Sequence, residues 1–290
     1  MKSTAAAHAP GGLTAERERG YYIGVQRTLP PLRLALWIAS LAGILFGLGA
    51  AAGRAAPLGV VAGGLALQAL LGTLGTLLPE LGAFGDVYTR GPGARRELAL
   101  TFDDGPHPET TPRVLALLAE HGVRATFFVV GAKAEAHPAL VRAIADAGHT
   151  VGVHGYLHDR LYALRSVRFV ERDLDRAVNA VERALGHAPT LFRPPVGFVS
   201  GAVAVAAERR GLTLVGFSAR SLDGRRGATP ARVLERASKA LENGAIVVLH
   251  DAAERDDRTP ASLAVLGELL ERVRARGLEA VTVDALRRPL

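Results

Sequence analysis

Two carboxylates stand side by side in the stretch "TFDDGPHPET", residues 101–110: Asp103 and Asp104. They follow the apolar run "LALTF". Neighbouring side chains of a strand point to opposite faces, but at a strand's end both can reach one site. Two carboxylates sharing a site repel, and one loses its charge unless a cation sits between them. A second pair lies downstream, where "HGYLH" places His154 and His158 at i, i+4. On a helical turn that spacing turns both imidazoles the same way, as metal-binding pairs do. Two His and one Asp form a facial set that suits Zn²⁺ and leaves a position for water or substrate. One Asp then binds metal and its neighbour is left to move protons.

The remaining polar outliers also follow apolar runs: His154 after "TVGV", Arg193 after "TLF", Asp223 shortly after "TLVGFSA" and His250 after "AIVVL". Between these runs lie helical patterns. "TPRVLALLAEHG" ends at Gly122, and "HPALVRAIADAGH", "VRFVERDLDRAVNAVERALG" and "ASLAVLGELLERVRARG" carry apolar residues at helical spacing. "RATFFVV" reads as a further strand. Alternating β and α units predict a parallel sheet or a (β/α) barrel. In such barrels the site lies at the C-terminal ends of the strands. Six titratable groups (Asp103, Asp104, His154, Arg193, Asp223 and His250) fall at those ends.

Composition narrows the chemistry. The 290 residues include no cysteine, which excludes disulfides and thiolate ligands and leaves His, Asp and Glu for any metal. A net charge of +7 favours anionic partners. Scattered arginines, sparse aromatics and the lack of a reader motif argue against nucleic acid.

Residues 1–33 are polar and irregular. "LALWIASLAGILFGLGAAA", 19 residues from Leu34, is uncharged, and so is "LGVVAGGLALQALLGTLGTLL", Leu58 to Leu78. Each has the length of a bilayer core, and their Gly and Ala suit close helix contact in lipid. Residues 34–79 are therefore expected to form two transmembrane helices in a hairpin, with a buried hairpin of a soluble protein, or one span plus a re-entrant piece, as the rivals. Lys2, Arg17, Arg19, Arg27 and Arg33 precede the pair, Arg90, Arg95 and Arg96 follow it, and Arg54 alone lies in its loop. The positive-inside rule then places both termini in the cytoplasm. Residues 80–96, containing "GAFGDVYTRGPGARR", read as a linker to a soluble domain at 97–290.

"TFDDGP", "HGYLH", "FRPP" and "IVVLHD", in that order, resemble the polysaccharide deacetylase family, the NodB-homology or carbohydrate esterase family 4 group. The resemblance covers about Glu97 to Val283. It implies a distorted (β/α) barrel that removes acetyl groups from N-acetyl sugars with a divalent metal, Zn²⁺ foremost and Co²⁺, Mn²⁺ or Ni²⁺ as alternatives. By resemblance, Asp103 is the general base, Asp104, His154 and His158 bind the metal, Arg193 orients Asp103, His250 is the general acid and Asp223 holds its imidazole. The implied partners are an N-acylated glycan (a polysaccharide, peptidoglycan or a lipid-linked sugar) and membrane lipid. Family habit places the domain outside the cytoplasm, against the charge balance. Sugar, acyl group and oligomeric state are left open.

The sequence departs from the family pattern at several points. Gly155 stands where Ser or Thr often follows the first metal histidine, and Val196 replaces an aromatic after "RPP". Asp223-Gly224 replaces Asp-Trp, and Arg220 occupies an expected Asp position. The alternative reading is thus a catalytically silent carbohydrate-binding relative. His107 and His149 are expected at the surface or in loops, and Glu254, Asp256 and Asp257 in a solvated loop; the rival to a catalytic His250 is a core histidine with Asp251 capping the next segment.

Overall fold

The computed structural model describes residues 30–52, 57–254 and 258–289. Lys2, Arg17, Arg19, Arg27 and Arg54, on which the charge balance drew, lie outside the described residues, as do Asp256 and Asp257.

The described residues open with two helices, α1 (Pro31–Ala51) and α2 (Leu58–Leu77). Proline begins or immediately precedes each one, where a missing N–H costs nothing. They pack on each other, and Gln68 donates to Ser40 Oγ across the pair at 2.9 Å. Their mean hydropathies are 2.0 and 1.7, and both are long and apolar enough to cross a membrane. Leu, Ile, Phe and Trp37 side chains are exposed along α1, as expected of a helix that meets lipid.

The remaining chain forms one curled parallel sheet. Its strands are β1 (Val87–Tyr88), β2 (Glu97–Asp103), β3 (Thr126–Val129), β4 (Thr150–Val153), β5 (Leu191–Phe192), β6 (Thr213–Val215), β7 (Ala219–Arg220), β8 (Ile246–His250) and β9 (Glu279–Val281). The order is β1-β6-β5-β4-β3-β2-β8-β7, with β9 also paired to β2. All registered pairs are parallel. The path does not return from β7 to β1 among the described residues, so the expected barrel is an α/β curled half-barrel.

The helices between strands are α3 (Thr110–Glu120), α4 (Gly131–Ala136), α5 (Pro138–Asp146), α6 (Val167–Leu185), α7 (Gly201–Arg209), α8 (Pro230–Lys239) and α9 (Leu266–Ala275), and α10 (Val283–Leu286) follows β9. Ser166 caps α6 by accepting from Phe169 N, and Gly186, at φ 79°, ends it. Its buried stripe of Val170, Leu174, Ala177, Val181 and Ala184 keeps a spacing of three and four. Each large apolar side chain buried this way contributes about 1.5–3 kcal/mol. Phe102 and Phe127 stack in the core with centroids 5.0 Å apart.

Several segments differ from the sequence reading. Val87–Tyr88, within the expected linker, pairs with β6 as a strand. The last long helix starts as a separate turn, Ala261–Ala264, before α9. "HGYLH" is a loop rather than a helical turn. Gly155 at φ 73° and His158 at φ 52° both occupy the left-handed region, which no right-handed turn can contain.

Candidate active site

Register brings the polar groups together. Asp103 is the last residue of β2 and pairs with His250, the last of β8. His154 directly follows β4, its N–H donating to Val129 O at 2.8 Å. Arg193 directly follows β5, its N–H donating to Val153 O at 3.0 Å. Asp104 leaves the strand at φ 72°, a turn that swings its carboxylate to the same side as its neighbour's. The pocket there has a volume of about 350 Å³ and is lined by Asp103, Asp104, His154, His158, Val196 and His250 among others. A larger hollow of about 810 Å³ lies at the opposite strand ends, near Arg124 and Thr150, and holds none of these groups.

Asp104, His154 and His158 form a metal-binding triad, with one ligand atom from each within 4.8 Å of the others. Asp104 Oδ1 lies 3.2 Å from His158 Nε2 and 3.7 Å from His154 Nε2. Asp104 Oδ1 is buried without a hydrogen bond, the sign of an acceptor kept for a cation. His154 Nδ1 donates to Arg193 O at 2.7 Å. A carbonyl only accepts, so Nδ1 carries the proton and the Nε2 lone pair faces Asp104. Burial holds the His154 pKa down to about 4, against the pull of Asp103, which keeps the ring neutral as a ligand must be. The donor set of two imidazoles and a carboxylate fits a divalent ion and does not identify it.

The sequence expected Glu254 in a solvated loop, and the structure corrects this. Its Oε1 lies 3.3 Å from His158 Nδ1, its side chain is largely buried, and it forms a forked pair with Arg160. A carboxylate behind a metal histidine sets the ring's orientation and raises its basicity. Asp104, His158, Glu254 and Arg160 thus stand in line.

Asp103 faces Arg193. The guanidinium is fully buried and donates to Asp103 Oδ1 and Thr101 Oγ1 at 2.7 Å each, and to Gly216 O at 2.8 Å. Phe128 lies beneath it, 4.2 Å from centroid to Cζ. Burial alone raises the Asp103 pKa, but Arg193, with His154 and His250, outweighs it and holds the carboxyl below its usual range. Asp103 is therefore ionised.

His250 faces Asp223. Nδ1 lies 2.8 Å from Asp223 Oδ1, and the His250 N–H donates to Oδ2 at 2.8 Å. Ser221 Oγ donates to Asp223 Oδ1 at 2.6 Å. Burial disfavours a charged imidazole, yet Asp223 outweighs it and the His250 pKa rises to about 10. Nε2 points to the pocket, 3.9 Å from Asp104 Oδ2.

All seven site residues named from the sequence thus meet at one end of the sheet, and their supports are what sequence reading missed. Asp173 on α6 accepts from Tyr156 N at 2.7 Å and Leu157 N at 3.3 Å, tying down the "HGYLH" loop. The first N–H groups of α4 hold the carbonyls of Gly155 and Tyr156. A Cβ at Gly155 would approach Asp173 and Pro195, so glycine rather than Ser or Thr fits here. Lys133 Nζ pins Asp104 O at 2.7 Å. Asp251 is buried under this turn and accepts from Thr111 at 2.5 Å. His149, expected at the surface or in a loop, lies in the connection between α5 and β4, where it is buried and accepts from Ala125 N at 3.1 Å. His107, as expected, sits in a loop, accepting from Glu109 N at 3.2 Å. None of these supports has a spacing that singles it out in sequence.

The geometry has counterparts among known proteins. A family model for polysaccharide deacetylase matches residues 90–215. The chain is 35% identical over 215 residues to a peptidoglycan-N-acetylglucosamine deacetylase of Bacillus cereus, covering 73% of this chain and 98% of that one.

The chain belongs to the polysaccharide deacetylase family.

PgdA of Listeria monocytogenes, another peptidoglycan-N-acetylglucosamine deacetylase, is 36% identical over 194 residues, 66% of this chain and only 39% of that protein. A solved peptidoglycan N-acetylglucosamine deacetylase, in complex with 4-naphthalen-1-yl-N-oxidanyl-benzamide, superposes with a TM-score of 0.63 at 28% identity. It covers 69% of this chain and 91% of that one. With the triad intact, this family member is a metal-dependent hydrolase of the deacetylase type. Its two apolar helices support a membrane location.

Proposed function

We propose that the protein removes an N-acetyl or related N-acyl group from an amino sugar of a membrane-proximal glycan. The observation that carries this reading is the pairing of functions around the triad. One carboxylate faces the imidazoles, and its neighbour, Asp103, is held ionised by Arg193. The substrates for which the relatives are named, peptidoglycan N-acetylglucosamine among them, supply the class.

Asp104, His154 and His158 would hold the divalent ion, Zn²⁺ first by its ligand preference. Bound there, the ion supplies Lewis acidity toward the amide carbonyl and acidifies water. Asp103 takes the proton of the attacking water. Arg193 holds Asp103 in place through a charge-assisted bond and keeps it ionised. His250, charged at neutral pH, gives its Nε2 proton to the departing sugar nitrogen, which cannot leave as a bare anion. Asp223 fixes the ring at Nδ1 so that Nε2 is the atom that faces the pocket. The Val196 N–H, in a residue at φ 64° on the pocket wall, would donate to the oxyanion. The products are the carboxylate and the free amine.

The hairpin would cross the membrane twice, with residues 80–96 joining it to the catalytic domain at 97–290. Carbonate-resistant sedimentation of the full chain with membranes checks this. Acetate release from N-acetylglucosamine oligomers by the full chain, metal-free and then with Zn²⁺, tests the function. Zn²⁺-dependent release that disappears in Asp103→Asn is expected. No release from these oligomers or from a lipid-linked N-acetylated sugar, despite stoichiometric metal binding, would overturn it.

A further inference from the structure

The metal pocket does not end at its own rim. A second hollow of about 530 Å³ adjoins it, and the two share Phe217 and Arg220. The far wall of the second hollow is Leu77, Leu78, Pro79 and Glu80, the end of α2 and the residues after it. Arg220 therefore stands on a continuous path from the triad to the point where an apolar helix enters the domain.

Arg220 lies over the Phe217 ring, 4.4 Å from centroid to Cζ, and donates to Val196 O at 3.1 Å. No carboxylate of the described residues forms an ion pair with it. Glu80 across the hollow and Asp103 act on it only at longer range, while Arg225, also on the pocket wall, adds a like charge. A planar guanidinium backed by an aromatic ring, with spare donors and a second arginine beside it, matches an anion such as phosphate.

The surroundings are apolar in the way a lipid boundary requires. The loop of His158 exposes Leu157, Leu161 and Leu164 at 61, 54 and 79%. Residues 162–164 pack against α7, Gly201 at the start of α7 abuts Phe84, and Val199 N donates to Thr76 O of α2 at 3.3 Å. A continuous run of contacts thus joins the leucine loop to the end of the hairpin. Three exposed leucines on one loop suit an interaction surface, and the contacts joining that loop to the hairpin point to lipid.

We propose that the substrate is a glycan carried on a lipid phosphate, with the amino sugar at the triad, the phosphate at Arg220 and the lipid leaving along α2. The inference rests on the deacetylase reading of the site. In a membrane-held sugar the phosphate joins lipid to sugar, and Arg220 lies between the triad and the end of α2.

The test uses the metal-loaded full chain in phosphatidylcholine vesicles. It compares polyprenyl-diphosphate-linked N-acetylglucosamine with soluble tetra-N-acetylchitotetraose. We expect kcat/KM to favour the lipid-linked substrate. Arg220→Gln should lower that preference at least tenfold, chiefly through KM, and Arg220→Lys should restore part of it. An unchanged preference in Arg220→Gln, with metal still bound, would overturn the assignment. So would an equal loss on both substrates confined to vesicles containing phosphatidylglycerol, which would give the guanidinium to the bilayer's own headgroups. Hydrolysis of neither substrate by the unaltered protein would instead overturn the deacetylase reading, and the inference with it.

Discussion

Arg193 holds His154 with its main chain and Asp103 with its side chain, each at 2.7 Å. One residue thus sets both the metal-facing imidazole and the proposed base. The two tasks are separable. In Arg193→Met the carbonyl survives and the guanidinium does not. We expect acetate release to fall about 100-fold as Asp103 loses its placement. Stability should drop by about 3–5 kcal/mol, because a buried carboxylate is left unpaired. Zn²⁺ affinity should change only a few-fold. Denaturant unfolding and metal titration read the last two. A loss of metal binding as large as the loss of activity would contradict this division.

The proton on His250 depends on Asp223. The folded pKa of about 10 lies above the ordinary 6.5. Its contribution to stability is therefore fully present below pH 6.5 and disappears as pH rises through about 10. In Asp223→Asn, only Asp104 and Asp103 are left to oppose burial, so the pKa should fall well below about 10. Imidazole NMR titration of the metal-free protein measures both values. The variant should also lose the decline in stability across that alkaline window.

Glu254 stands behind His158 at 3.3 Å. Glu254→Gln keeps the size and removes the charge. Metal affinity should weaken about 10–100-fold, the usual effect of removing such a partner. Competition with a chelator measures it. Asp104→Ala, which removes a ligand outright, should abolish stoichiometric binding.

Gly131 begins α4 where it crosses α6. A Cβ there would come within 2.7 Å of Ala177 Cα and 2.8 Å of the Tyr156 ring. Gly131→Ala should destabilise the fold by about 1–3 kcal/mol through overpacking. It should also loosen the metal loop, since Gly131 N donates to Gly155 O at 2.8 Å. Thermal unfolding and metal affinity should therefore shift together.

The β/α alternation and the strand-end positions of Asp103, His154, Arg193 and His250 were legible because apolar runs and punctuating polar residues are local signals. The pairing of Asp103 with His250 was not, since register across β2 and β8 is set by the whole sheet. "HGYLH" was legible as a metal pair through its spacing, while its loop conformation depends on Asp173 and α4, distant in sequence. Glu254 was misread because acidic residues in a polar stretch look alike until one is seen against a histidine. β1 was missed because two residues carry no periodicity.

Four residues other than glycine adopt positive φ among the described residues: Asp104, His158, Val196 and Leu222. All four line the metal pocket. Each such backbone costs about 1–3 kcal/mol. A laboratory selection for heat resistance alone would therefore find easy gains at these positions, by glycine or by a relaxed turn. It would drift toward a sturdier, inert protein. Breeding a hardier version of this enzyme calls for selecting turnover and heat tolerance together, or for confining mutagenesis to the far side of the sheet.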